Sequence, residues 1–145
     1  MPKRMKLEDF KSNTDIPENV YYATIKYDML DAFKKLGRID LDILHDCAIY
    51  NSYNILHYIL TKFDVEIDRR TSGSAVNTAF KAACENGKTL IATTLLVQGA
   101  DPNIVDITLS REFIHSEEDL RRTALFLLAN NISFKFEKTI GECAG

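Results

Sequence analysis

The sequence predicts an all-α protein built from short helices in pairs. Two observations carry that expectation. The stretch Thr78–Asp106 breaks into two helical runs, a tight turn and an extended exit. Degraded copies of the same layout stand before and after it, and self-similarity at a fixed period marks a repeat architecture. One such unit cannot bury its own apolar face. Stacked neighbours must do so, which sets a minimum of about three units. The 145 residues accommodate roughly four, two of them degenerate caps.

In the central copy, Thr78–Glu85 is rich in Ala and lacks bulky β-branched residues. Asn86-Gly87 ends it, because glycine accepts the left-handed backbone of a helix stop. The second run, Thr89–Val97, carries Leu90, Ile91, Thr94, Leu95 and Leu96 at spacings that make one apolar face. Gln98-Gly99 closes it. Pro102 then cannot continue a helix and biases Ala100-Asp101 to an extended form.

Thr78, Phe80, Ala83, Gly87, Leu95, Leu96, Gly99, Ala100, Asp101 and Asn103 stand in the order and register of the ankyrin repeat, which this stretch resembles. Its departures are Ala79 for Pro, Lys81 for His and Cys84 for Ala. The resemblance implies an ankyrin-repeat solenoid: helix-turn-helix units with finger loops, at a period near 33 residues. Asn103 matches an Asn that is hydroxylated enzymatically in some members.

The remaining chain is read against that pattern, with units at about 16–37, 38–68, 74–106 and 107–136 inside one domain, 16–140. Residues 1–15 are polar, without period, and read as a flexible lead-in. Pro17 and Glu18 suit a first helical turn. Val20–Ile25 gives a first helix, with Asp28 placed to cap the next. Met29, Leu30, Phe33 and Leu36 then form a stripe that Gly37 stops. Lys26, Asp31, Lys34 and Lys35 face water in this capping unit.

The second copy, Leu41–Asp68, is offset from the central one by about 36 residues. Its Leu44-His45, Cys47-Ala48 and Ile59-Leu60 match the pattern. Asn51 replaces a Gly, which suits the left-handed turn. Phe63 and Asp64 replace the closing Gly-Ala, predicting an irregular exit. The link Glu66–Asn77 reads as a solvated loop, either a basic contact arm or a tolerated insertion.

After Asp106 the pattern degrades. Phe113 is placed at the Leu of the motif. Ser116, followed by Glu117, Glu118 and Asp119, starts a helix. Leu120, Ala124, Leu127 and Leu128 form its buried face, and Asn130-Asn131 closes it. Phe134 and Phe136 read as a lid folded over that helix, and 141–145 as a loose tail.

Composition narrows the function. A net charge of -3 with 46% hydrophobic residues is ordinary for a globular domain and argues against nucleic acid as partner. No apolar run is long enough to span a membrane, and the basic start lacks the apolar core of a secretory signal. Cys47, Cys84 and Cys143 cannot all pair and lack zinc-ligand spacing, which points to a reduced, cytoplasmic setting. The richness in Ile, Asn, Lys and Tyr hints at an AT-rich genome, viral or microbial.

No catalytic residue, metal ligand or cofactor motif emerges. His45-Asp46-Cys47 brings two ligand types together, but neighbouring helix residues diverge by about 100°. The resemblance gives His45 a bracing role between turns, and Cys47 and Cys84 stand at small packing positions. Gly87-Lys88-Thr89 lacks the earlier glycine of a phosphate loop.

The resemblance further implies binding on the concave side, by finger turns and the outer edges of first helices. By register those positions are Ile25, Lys26, Arg38, Ile39, Ile49, Tyr50, Ser74, Asn77, Glu85 and Asn86, with Arg69 and Arg70 beside them. Ile49 and Tyr50 are the strongest anchors; Tyr53 and Tyr58 suit packing between repeats. The expected function is a non-catalytic protein-binding module, an adaptor or inhibitor. Its rival is a binder of an anionic ligand or nucleic acid through Arg69, Arg70, Lys88 and Arg111. The sequence assigns no oligomeric state.

Overall fold

Local stop signals divide the chain into helical pairs before any packing is considered. Gly37, Asn51 and Gly87 all adopt positive φ, at 70°, 61° and 72°, at the ends of first or second helices. At Gly87 the space is also taken: an added Cβ would lie 3.3 Å from Ile114 Cγ2. A computed structural model describes residues 3–71 and 77–137. Its helices are α1 (Glu18–Lys26), α2 (Leu30–Leu36), α3 (Ile43–Tyr50), α4 (Tyr53–Lys62), α5 (Ala79–Glu85), α6 (Thr89–Val97) and α7 (Glu117–Ala129).

The first helices α1, α3 and α5 pack in a row, α1 on α3 and α3 on α5. Behind them, α2, α4, α6 and α7 form the second row. The core runs continuously between the rows. Tyr21, Ile25, Ile43, Cys47, Ile55, Leu56, Ile59, Phe80, Ile91, Leu95 and Leu127 are all fully buried. This is the predicted all-α stack, in which each unit covers its neighbour's apolar face.

Caps tie adjacent units together. Thr78 starts α5 by accepting from Lys81 N at 3.2 Å, and Ser116 starts α7 by accepting from Asp119 N at 3.3 Å. Asp28, expected to cap α2, instead adopts φ 51° and turns to the next unit. Its two carboxylate oxygens accept from Asn54 N and Ile55 N of α4, each at 3.0 Å. The carboxylate thus satisfies orphan donors at the positive end of a neighbouring helix. Asp28→Ala is expected to lower unfolding free energy by about 1–2 kcal/mol, read from the urea midpoint; an unchanged midpoint would refute the cap.

The N-terminal lead-in differs from expectation. Met5–Lys6 (β1) pairs in parallel with Phe63–Asp64 (β2). Leu7 is buried, and Phe10 meets the Phe63 ring edge-on at 5.6 Å. Arg4 Nη1 donates to Leu60 O at 2.6 Å. Ser12 Oγ donates to Ile39 O and accepts from Ile39 N, both at 2.9 Å. Phe63, standing where the repeat pattern has Gly, leaves α4 in an extended conformation. The predicted irregular exit is therefore an ordered strand that the lead-in covers.

The C-terminal unit keeps only its second helix, α7. The place of a first helix is taken by Ile107–Leu109 (β3), which packs on α5 and pairs in parallel with Phe134–Phe136 (β4). Phe134 and Phe136 therefore extend a strand pair rather than lid α7. Ile114, not Phe113, enters the core; Phe113 is exposed, as are Leu90 and Leu128. Thr123 takes the buried position on α7, its hydroxyl donating to Asp119 O at 2.7 Å. Asp101 is extended as expected, but Pro102–Ile104 makes a single 3-10 turn. Residues 141–145 lie outside the described residues.

Candidate protein-binding face

The outward side of the first helices gathers the side chains left over from packing. In α3, Ile43, Leu44, Cys47 and Ala48 turn inward. The opposite stripe carries Asp46, Ile49 and Tyr50, at spacings of three and four, which makes them neighbours on one face. Ile49 and Tyr50 are 37% and 41% exposed.

Two of the expected contacts are core residues. Ile25 is fully buried and Ile39 is 7% exposed. Ile25 sits one turn after Tyr21, on the side of α1 that packs on α3, so its apolar surface is spent within the stack. Ile39 is held down by the Ser12 hydroxyl.

Arg38 is largely committed inside the chain. Its guanidinium donates to both oxygens of Asp40 at 2.9 Å and to Glu18 Oε1 at 2.7 Å. It also lies over the Tyr21 ring, 4.2 Å from the centroid. Tyr21 Oη accepts from Asp40 N at 2.9 Å, which fixes the finger turn to α1.

Arg69 pairs with Asp42 at 3.2 Å. Arg70 is exposed and donates to Ile104 O at 2.8 Å. Arg111 pairs with Glu117 at 2.7 Å. Three of the four cations of the anion-binding alternative, Arg69, Arg70 and Arg111, are thus engaged at separate places. Asp68 Oδ1 accepts from Asp101 N at 3.0 Å, so the link to the central unit joins successive fingers.

Glu85 is half-buried and accepts from Thr108 N at 2.8 Å, bridging α5 to β3. Burial raises its pKa, while that hydrogen bond and Lys81 act in the other sense. Asn86 donates back to Ala82 O at 2.7 Å. Lys26 is exposed at the end of α1 and leans over the Tyr27 ring. Asn77 is half-buried; the His45 ring approaches it without a well-formed hydrogen bond to its buried Oδ1. Burial lowers the pKa of His45, with Asn77 and Asp42 opposing. Ser74 lies outside the described residues.

Sequence reasoning weighed Asp46 only between His45 and Cys47, as part of a metal or nucleophile site, and gave Tyr22 no role. Asp46 Oδ2 is buried without a hydrogen-bond partner among the described residues. Burial, then the charges of Asp42 and Asp40, push its carboxyl up to about 7. Tyr22, half-buried on α1, is pushed up to about 12 by burial and by Asp46, Asp40 and Glu18, with Arg38 opposing. The i, i+3, i+4 relation of Asp46 to Ile49 and Tyr50 was a usable signal.

The recess beside Asp42, His45 and Arg69 has a volume of about 30 Å³, room for one or two waters. Among the described residues no three His, Cys, Asp or Glu side chains converge as a metal site, and no helix is long and apolar enough to cross a membrane. Cys47 and Cys84 are buried, and burial pushes both thiols upward, Cys84 to about 12, far from reactive.

Helix pairs stacked in two rows, with finger turns on one side, define a repeat protein of the solenoid class. Residues 77–107 match the ankyrin repeat family model, spanning the last finger residue, α5, α6 and the exit into β3. The all-α stack thus carries an ankyrin repeat at its centre, and ankyrin repeats generally mediate protein–protein interaction. No curated protein matches the chain.

Proposed function

We propose that the chain is a non-catalytic recognition module that holds a protein partner against the face made by α1, α3, α5 and their finger turns. The observation that carries this is the exposure of Ile49 and Tyr50 on a helix whose other side is fully buried. Apolar and aromatic side chains on a rigid support are the usual anchors of an interface, because little conformational freedom is lost when they are covered. Lys26, Asn77 and Asn86 supply polar groups nearby, and Arg70 extends the surface along the finger side.

Such a module acts as an adaptor, or as a competitive inhibitor that occupies a partner's working surface; a pathogen's blockade of a host protein is one use of the latter. Affinity capture from the native cell with mass spectrometry identifies the partner. With that partner in hand, Tyr50→Ala is expected to weaken binding by about 1–3 kcal/mol in calorimetry, with the unfolding midpoint unchanged. A parallel loss of stability would make Tyr50 a packing residue and remove the anchor.

A further inference from the structure

We propose that two copies of this chain associate through the open edge of β4, the strand of one lying antiparallel to the same strand of the other and centred on Phe136. The contact uses different residues from the face of Ile49 and Tyr50.

The last described unit leaves an apolar edge uncovered. Leu127-Leu128 stands where Leu95-Leu96 stands in the central unit. Asn131 takes the positive φ of Gly99, and Ile132 N donates to Leu127 O at 2.9 Å as Ala100 N does to Leu95 O at 3.0 Å. The second leucine of the pair is 5% exposed at Leu60, half-buried at Leu96 and 60% exposed at Leu128. Helix α4 packs on α6 and α6 on α7, and no helix among the described residues follows α7. Phe136 is 56% exposed. With Leu128, Ile132 and Phe134 it lines a recess of about 540 Å³. Contiguous exposed apolar groups of this kind mark an interaction surface.

The strand itself is also short of a neighbour. Its sheet has two strands among the described residues. Glu137 N donates to Leu109 O at 2.9 Å. Backbone groups alternate sides along a strand, so those of Lys135 and Glu137 turn to β3. Those of Phe134 and Phe136 turn away from it, a template for one more strand.

Charge selects the occupant. Lys135 and Glu137 flank Phe136 with opposite signs, both exposed, and neither is ion-paired among the described residues. In an antiparallel pair centred on Phe136, the two Phe136 residues exchange both backbone hydrogen bonds. Lys135 of each copy then lies opposite Glu137 of the other. Centring the pair on Lys135 instead sets like charges face to face, which is unfavourable. An isologous contact must complement itself, and this strand does, since reversing it exchanges Lys135 with Glu137. The surrounding charges are of both signs. Arg111 pairs with Glu117, and Arg122 with Glu118 and Asp119. Arg121 shares a recess with Phe136 and Glu137, and Asp106 shares one with Lys135. Such a mixture favours no polyanion, anionic membrane or strongly charged peptide.

Sedimentation equilibrium of the full chain, at up to about 1 mM, is the test. A monomer–dimer equilibrium is expected for the wild type. Lys135→Glu or Glu137→Lys alone sets like charges opposite each other on both sides of Phe136, and is expected to weaken the dimer about tenfold or more. Combining the two reversals restores the pairing with signs exchanged and is expected to recover the wild-type dissociation constant. Tyr50→Ala is expected to leave it unchanged. A chain monomeric throughout, a dimer indifferent to the single reversals, or one that the double reversal fails to rescue overturns the contact. A dimer broken by Tyr50→Ala overturns it too, and places the second copy on the face of α3. Circular dichroism of each variant guards against misfolding.

Discussion

Phe80→Ala is expected to cost about 3–5 kcal/mol of unfolding free energy, read from denaturant titration. Phe80 is fully buried in α5, which packs on α3, α6 and β3. Truncation removes the transfer free energy of the ring and leaves a cavity that its neighbours fill only in part. The position matters as much as the volume. In a solenoid each slab touches only its neighbours, so weakening the middle one uncouples both ends. The unfolding transition of the variant should accordingly broaden, with a smaller m-value. Phe80→Leu, which keeps most of the volume, should lose much less. A Phe80→Ala variant within about 1 kcal/mol of the wild type would mean that α5 is not the centre of the cooperative unit.

The second large effect is electrostatic and runs against the usual direction for an acid. The folded-state carboxyl of Asp46 is raised to about 7, chiefly by burial, against an unfolded value of about 3.9. Between these values the folded chain holds a proton that the unfolded chain has released. Stability from this group is therefore greatest at low pH and falls as pH rises, with the loss complete above about 7. Asn mimics the protonated acid without titrating. Asp46→Asn should match the wild type near pH 4 and exceed it by about 2–4 kcal/mol at pH 8. Paired denaturant titrations across that range give the difference curve, in which the other titrating groups cancel. A difference independent of pH would show that Asp46 ionises normally in the fold.

Much of the frame was legible because it is set by neighbours along the chain. Gly37, Asn51 and Gly87 mark helix ends because positive φ is a property of the residue itself. The central unit carries its periodicity within Thr78–Val97, and Ser116 caps α7 across three residues. The errors are of another kind. Ile25 and Ile39 are apolar in the register of a binding face, yet the pattern does not say which neighbour reaches them. Asp28 looked like the cap of the helix that follows it, and its carboxylate went to a helix in the next unit instead. The lead-in was read as frayed because its partner, Phe63–Asp64, lies far along the chain and nothing local signals the pairing.

For the binding face the same division holds. Ile49 and Tyr50 were identified by register alone and are exposed. Arg38 and Arg69 were read as available charges, and the fold uses them to hold Glu18, Asp40 and Asp42. The acids at 40, 42 and 46 were visible in the sequence, but their mutual influence depends on burial, which no spacing rule supplies. By itself the sequence determined the helix pairs, their stops and the repeat they follow, since turns and amphipathic periods are short-range properties of the chain. Only the tertiary structure decided which charges are neutralised and which carboxylate is left without a partner. Electrostatic free energy is set by distances and solvent access between units, and those exist only once the slabs have stacked.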